Sequence, residues 1–129
     1  MASQLFPKGA AHLLGLSTKV DLVADTMKIL FYSAAITTTW EFVSDLTGGS
    51  IVARSGALAG KTVTNGVFDV NDITVAAVSG SAFTHVILYK DTGADATSCL
   101  VAVWDVASFT PNGSDIQVIW NASGLFSIA

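Results

Sequence analysis

From Ile51 onward the chain alternates short apolar runs with turn residues spaced about eight to twelve positions apart, which is typical of sandwiches and barrels. The dipeptide Asn65-Gly66 separates "KTV" from "VFDV". It predicts a β-hairpin, because a type I′ turn needs both of its central residues at positive φ. Asn71-Asp72 then leads into "ITVAAV". The pattern predicts a mainly β, single-domain antiparallel β-sandwich or barrel of about eight strands.

Three longer runs are apolar on both faces. In "TMKILFYSA" the alternation begins at Met27, and "CLVAVWDV" begins at Cys99. In "FTHVILYK" the alternation sets Phe83, His85, Ile87 and Tyr89 on one face, with Val86 and Leu88 on the other. A strand that is apolar on both faces favours the interior of a sheet, so we expect these three strands to be central. Shorter strands follow in "IQVIW" and "GLFSIA".

Two segments favour helix over strand. In "PKGAAHLLGLS" apolar residues recur near helical spacing, with Pro7 in the first turn and Gly15 as a stop. The stretch "TTTWEFVSDLTGGS" predicts a second helix, capped by Thr37–Thr39 and ended by Gly48-Gly49. Residues 2–16 carry only Lys8 and His12 as charged or titratable groups. We interpret 2–16 as a possible N-terminal docking arm or helix that can be removed without loss of the fold.

Composition narrows the classes of function. Of the 129 residues, 51% are apolar and 12% are charged, about half the usual charged share. The length predicts a single β domain over residues 1–129. So weakly charged a surface favours contacts with neighbours, either as a homo-oligomer or in a lattice.

Several partners and compartments are disfavoured. The formal charge is −4, and no Lys or Arg follows Lys90, so no basic stripe would bind nucleic acid. The longest apolar run, Cys99 to Trp104, is too short to span a membrane. The start of the chain lacks a basic segment ahead of a long apolar one, so we expect a protein made in the cytoplasm and not secreted.

Reactive side chains are few. The sequence has two histidines, one cysteine, one glutamate and one arginine. We therefore predict no catalytic, cofactor-binding or metal-ligating residues, no cofactor and no enzyme activity. His85 is expected in a core or interface and His12 on the surface of the N-terminal helix. Cys99, inside an apolar run, is expected to be a small buried hydrophobe.

Acidic turns and tryptophans leave two alternatives open. The turns 69–72 ("DVND") and 91–95 ("DTGAD") supply carboxylates that could hold a cation such as calcium, but Asp and Asn also hydrogen-bond their own turns, and we favour the turn role. Trp40, Trp104 and Trp120 could form a stacking platform for a sugar. Strand alternation points Trp104 and Trp120 toward the core instead.

Segments spread from Leu5 to Ile128 resemble a family of small structural proteins of tailed bacteriophages. They are "LFPKGAAHLLGLSTKVDLVADTMKILFYSA", "ARSGALAGKTVTNGVFDVNDITVAAVSG", "VILYKDTGADATSCLVAVWD" and "TPNGSDIQVIW". The most characteristic pieces are Lys8-Gly9, Asp25-Thr26, "SGALAGKTVTNGVFDVNDITV", "YKDTG" and "TPNG" before a strand that ends in Trp120. Family members usually carry charged residues after the Lys-Gly pair, whereas this chain has Ala10 and Ala11.

The resemblance implies location in a virion, built in the host bacterial cytoplasm. It favours a capsid decoration or cement protein that binds and stabilises the major capsid protein lattice. A tail or head-to-tail connector protein is an alternative, separated from the first by copy number per particle. A host-surface or carbohydrate-binding module is a third, supported by the tryptophans and the polar loops.

Overall fold

The computed structural model of the protein describes residues 3–15, 20–120 and 126–127. The fold is mainly β, as the sequence predicts, with one short helix near the N-terminus. The helix is α1 (Pro7–Leu13), and a single 3₁₀ turn covers Val43–Asp45. The strands are β1 (Ser3–Leu5), β2 (Met27–Tyr32), β3 (Ile51–Arg54), β4 (Thr62–Thr64), β5 (Val67–Asp69), β6 (Ile73–Val75), β7 (Phe83–Lys90), β8 (Leu100–Phe109), β9 (Ile116–Val118) and β10 (Phe126–Ser127).

The strands form three antiparallel sheets. The main sheet has five strands in the order β1-β8-β7-β2-β3. Two smaller sheets have the orders β10-β5-β4 and β6-β9. The prediction that the strands beginning near Met27, Phe83 and Cys99 are central is confirmed, because β2, β7 and β8 each have a neighbour on both sides. No helix among the described residues has the length and apolarity needed to cross a bilayer.

The hydrophobic core lies on both faces of the main sheet. On one face, side chains such as Ile29 and Leu88 pack with Phe68 of β5 and Val75 of β6. On the other, a second cluster contains Phe6, Leu30, Tyr32, Val43, Ile87, Tyr89, Leu100 and Val103. Half-buried residues of the segment 34–46 pack against this second cluster. The apolar character of both faces of β2, β7 and β8 follows from this arrangement.

The β4–β5 hairpin forms where Asn65-Gly66 predicts it. Thr64 pairs with Val67, and the two turn residues have φ values of 50° and 78°. Both lie in the left-handed region that a type I′ turn requires. This part of the topology is encoded locally by two residues.

The predicted helix over 37–49 is wrong. Phe42 is extended, with φ −119° and ψ 160°, and forms an isolated antiparallel bridge with Cys99. The Leu100 N–H donates to the Glu41 carbonyl, and the Val43 N–H donates to the Ser98 carbonyl. Pairing with the start of β8 buries Val43 over the second cluster, and this burial outweighs the weak helix propensity of the threonine run.

The predicted face of Phe83 is also wrong. The register of β7 against β8 shifts between Phe83 and His85. Phe83 therefore joins the cluster that contains Val86 and Leu88, and its ring stacks on Phe31 with 4.3 Å between centroids. Regular alternation along β7 does not continue across this irregularity, where pairing with β8 is interrupted.

The N-terminal segment is not a detachable arm in the part that is described. β1 pairs with β8, Phe6 is 1% exposed, and α1 lies against β8. The sequence pattern does not predict β1, which is one of the ten strands among the described residues, against about eight predicted. Three residues carry too little alternation to predict a strand. Removing 2–16 would therefore expose the main sheet, contrary to the expectation of an unchanged fold.

Candidate binding surface

Exposed apolar side chains cluster beside the end of α1. They border a groove of about 470 Å³ that is lined by Leu13, Gly15, Val63 and residues 20–23. Val63 is 50% exposed and Val23 is 47% exposed. Leu14, between two lining residues, is 79% exposed. Of the five large apolar side chains that are exposed among the described residues, Val23 and Val63 line the groove, and Leu14 follows the lining residue Leu13 in the sequence.

The walls of the groove are fixed by backbone hydrogen bonds. At the end of α1, the Leu14 N–H donates to the Ala10 carbonyl. Gly15 then turns the chain with φ 111°, a value that favours glycine. On the opposite wall, the Val20 N–H donates to the His12 carbonyl. The Asp21 carboxylate closes the following turn by accepting hydrogen bonds from the N–H groups of Val23 and Ala24.

The third wall is the edge strand β4. β4 is the last strand of its sheet, and all three of its residues are exposed. Thr62 and Thr64 flank Val63 and lie opposite Asp69 and Val67. In a two-residue hairpin the pair next to the turn exchanges hydrogen bonds and the next pair does not, so the Val63 N–H and C=O point away from β5.

The charge at the groove is negative. Hydrogen bonds from the N–H groups of Ala24 and then Val23 lower the pKa of Asp21 below its ordinary value of 3.8. Nearby, the Lys61 ammonium donates to the Asp25 carbonyl, and Lys90 lies 3.2 Å from the Asp25 carboxylate. The positive charge of Lys61 also helps to lower the pKa of Asp21, so the exposed Asp21 carboxylate has a cation nearby.

Ion pairs tie the acidic turn 91–95 to the sheet. Lys28 lies 2.8 Å from Asp91, and Arg54 donates two hydrogen bonds to Asp95, at 2.8 and 2.9 Å. These contacts lower the pKa of both carboxyl groups below 3.8. The Gly93 N–H also donates to Asp91. The carboxylates of this turn fix its shape, as the turn interpretation expects.

The carboxylates of the turn 69–72 also accept hydrogen bonds from backbone N–H groups. The Asp69 carboxylate accepts from the Val70 N–H, and Asp72 accepts from the Trp120 N–H at 2.9 Å. Across residues 3–15, 20–120 and 126–127, no group of three or more His, Cys, Asp or Glu side chains is arranged to hold a metal ion. Hydrogen bonds to the backbone therefore account for both carboxylates of this turn.

His12 is not a helix-surface residue. It is 2% exposed, and its Nε2 lies 2.9 Å from the Glu41 carboxylate. Lys8 approaches the same carboxylate at 3.8 Å. The prediction fails because the partner that makes burial of His12 tolerable is distant in sequence. The His12–Glu41 contact joins α1 to the segment that covers the main sheet.

His85 and Cys99 behave as expected. His85 is half-buried, with Nε2 3.1 Å from Asp105 and Nδ1 2.9 Å from the Thr84 hydroxyl. These contacts connect β7 to β8 beside the bulge. Cys99 is fully buried, and burial raises the pKa of its thiol. A thiol that is both buried and protonated is a poor nucleophile.

Two of the tryptophans pack against each other. The rings of Trp104 and Trp120 have centroids 5.2 Å apart, and Trp104 is 4% exposed. Trp40 meets Tyr32 edge-on at 6.0 Å. The core interpretation is confirmed for Trp104, and Trp120 is half-buried against the same cluster. The three rings do not share one exposed face, so nothing here favours the sugar platform.

Comparisons with known proteins add no assignment. No protein-family model matches the chain, and no curated protein matches it. Function is therefore argued from the groove, the strand edges and the resemblance in sequence. The sequence pattern does not reveal the groove, because its walls come from segments that are distant in the sequence. The one local signal is the apolar Val63 on a strand whose other residues are polar.

Proposed function

We propose that the protein is a non-enzymatic structural protein of a phage virion, namely a capsid decoration or cement protein that binds the major capsid protein lattice. The observation that carries the proposal is the apolar groove beside β4, which is the edge strand of its sheet among the described residues. An exposed apolar surface of this kind on a weakly charged domain is suited to permanent contact with a neighbour. The proposed location in a virion comes from the resemblance to small phage structural proteins.

The body of the domain suits a cement role. Both faces of the main sheet are covered, and ion pairs fix the 91–95 turn to it. A protein that reinforces a shell must transmit load without deforming. Repeated contacts across a lattice then give stability that no single contact supplies.

The experiment that tests this proposal is a binding count. Purified, fluorescently labelled protein is added to complete particles, isolated heads and isolated tails of the phage that encodes it. We expect saturable binding to heads, with copies in proportion to the shell subunits. Val63→Asp, which places a charge in the groove, is expected to reduce the bound copies strongly.

The matched control is Ile119→Asp. Ile119 is 67% exposed and does not line the groove, so the same type of change is made elsewhere on the surface. Binding confined to tails or portal ends, in few copies, would replace the cement role with the connector role. Absence of binding to any particle would overturn the proposal, and quenching of tryptophan fluorescence by a glycan would then favour a host-binding module.

A further inference from the structure

Two Asn-Gly pairs occur in the sequence, at Asn65-Gly66 and at Asn112-Gly113. In such a pair the glycine nitrogen can attack the carboxamide carbon of the asparagine, because glycine has no Cβ to obstruct the approach. All four residues are exposed, and both glycines have positive φ, 78° at Gly66 and 88° at Gly113. Exposure and glycine conformation therefore do not distinguish the two pairs, whereas their hydrogen bonds do.

The reactive groups of Asn112-Gly113 are held by three hydrogen bonds. The Gly113 N–H donates to the Val78 carbonyl at 2.7 Å, and the Val78 N–H donates to the Ser114 carbonyl at 3.1 Å. The Asn112 side-chain oxygen accepts from the Ser114 N–H at 3.1 Å. Attack at this pair therefore requires that the segment first separates from Val78 and that the side chain gives up its own hydrogen bond.

The same groups of Asn65-Gly66 are available at the tip of the β4–β5 hairpin. The turn is closed by the pairing of Thr64 with Val67 on either side of it. Neither the Gly66 N–H nor the Asn65 carboxamide forms a hydrogen bond with any of residues 3–15, 20–120 or 126–127. The rotation that brings the Gly66 nitrogen to the Asn65 Cγ therefore breaks no hydrogen bond of either group.

We propose that Asn65 is a site of spontaneous deamidation in the folded protein and that Asn112 is protected from it. The Gly66 nitrogen forms a bond to Cγ of Asn65, and the Cγ–Nδ2 bond breaks. The proton of the Gly66 N–H, relayed by water, leaves with Nδ2 as ammonia, and a succinimide ring remains. Water then opens the ring at either carbonyl and gives aspartate or isoaspartate, with no oxidation or reduction. The co-reactant is water alone, so the reaction does not depend on the proposed function.

The two products differ in their effect on the hairpin. Aspartate tolerates the positive φ of 50° found at Asn65 and keeps the length of the two-residue turn. Isoaspartate routes the main chain through the side-chain carbons and adds one backbone atom to the turn. Because turn length sets the register of a hairpin, the isoaspartate form weakens the pairing of Thr64 with Val67. Either product adds one negative charge to a chain whose formal charge is −4.

The test follows both asparagines in one sample of the purified full chain. The protein is incubated at mildly alkaline pH in water enriched in a heavy oxygen isotope, which marks every residue deamidated during the incubation. Trypsin then cleaves after Lys61 and Lys90, so that Asn65 and Asn112 lie on different peptides. Tandem mass spectrometry assigns the modified residue and separates Asn65 from Asn71, which lies on the same peptide.

We expect deamidation at Asn65 to be at least about tenfold faster than at Asn112, because three hydrogen bonds must open at the second pair. The control is the same chain unfolded in urea, in which both pairs lose their hydrogen bonds and the two rates should become similar. Hydrogen exchange is then measured on the two products after chromatographic separation. It should be faster across the β4–β5 hairpin in the isoaspartate form than in the aspartate form.

Several results would overturn the proposal. They are equal rates at Asn65 and Asn112 in the folded chain, faster reaction at Asn112, and a ratio of rates that is the same in the folded and the unfolded chain. Absence of label at Asn65 in the folded chain, over a time in which the unfolded chain reacts completely, would show that the turn itself protects the residue. None of these results concerns particle decoration, so the proposed function is tested separately.

Discussion

The contact between His12 and Glu41 is the clearest case of a side chain whose role depends on a distant partner. The imidazole is buried, lies 2.9 Å from the carboxylate and has the Phe42 ring 6.2 Å away. This contact satisfies Nε2, whereas Nδ1 is buried and has no hydrogen-bond partner among the described residues. The pair therefore contributes to holding α1 against the domain.

We expect His12→Ala to lower the free energy of unfolding by about 2–3 kcal/mol, because it leaves a cavity and removes the partner of Glu41. Glu41→Gln keeps an oxygen that can accept the hydrogen bond, so its expected cost is below about 1 kcal/mol. Urea denaturation measures both. Leu14→Ala, at a side chain that is 79% exposed, is the control and should change stability by less than about 0.5 kcal/mol. An unchanged stability of His12→Ala would contradict its burial.

Residue-scale predictions from sequence succeed where the determinant is local. Asn65-Gly66 fixes its hairpin because the requirement for positive φ belongs to those two residues alone. Burial of Cys99 follows from its apolar neighbours. His12 and Phe83 fail because one depends on Glu41 and the other on a register shift against β8. Neither determinant is visible in the residues that flank the position.

At the scale of elements, Gly9 determines how α1 meets β8. A Cβ built on Gly9 would overlap the carbonyl oxygen of Leu100 and come within 2.9 Å of the Val101 Cα. Both obstacles are backbone atoms of a central strand and cannot move aside. The Lys8-Gly9 opening of the sequence thus has a physical reason, since only glycine allows the helix to approach this closely.

We expect Gly9→Ala to destabilise the protein, even though alanine favours an isolated helix by about 1 kcal/mol over glycine. The sign of the change in stability distinguishes the effect of close packing on β8 from the effect of helix propensity. Thermal unfolding monitored by circular dichroism is the measurement. The control is Gly56→Ala, because no atom lies within 4 Å of a Cβ built at Gly56. A gain in stability at position 9 would show that α1 does not pack closely on β8.

The incorrect prediction of a helix over 37–49 shows that the spacing of apolar residues does not by itself determine an element. Its spacing of apolar residues fits a helix, but the same residues fit a cover over the second face of the main sheet. Pairing with the start of β8 decides between the two, through hydrogen bonds such as Leu100 N–H to the Glu41 carbonyl. Tertiary contacts override propensity when the propensity is weak.

At the scale of the whole molecule, a small number of charges hold the covering segments in place. Lys28–Asp91 and Arg54–Asp95 fix the 91–95 turn. The Asp45 carboxylate accepts from the N–H groups of Phe42 and Glu41, and these bonds, that from Phe42 first, lower its pKa below 3.8. The 91–95 turn and the 3₁₀ turn at Val43–Asp45 therefore depend on ionised carboxylates.

We expect the folded protein to lose stability in acid because of these carboxylates. The pKa values of Asp45, Asp91 and Asp95 are lowered in the folded protein, so the unfolded chain binds more protons near pH 3.8. Linkage then makes the free energy of unfolding fall as the pH drops through and below this value. Above the unfolded pKa the contribution is complete, so we expect little change from these groups between about pH 5 and 7. Urea midpoints measured at closely spaced pH values test this.

The double variant Asp91→Asn and Asp95→Asn removes both negative charges from the turn. It should be less stable than the wild type at neutral pH and should lose stability less steeply in acid. Ala96→Asn, in the same exposed loop, adds an amide without removing a carboxylate and should leave the steepness unchanged. An equally steep acid loss in the double variant would show that these two carboxylates do not govern it. In that case Asp45 and Asp21, whose carboxylates accept hydrogen bonds from backbone N–H groups and whose pKa values are also lowered, are the next groups to substitute.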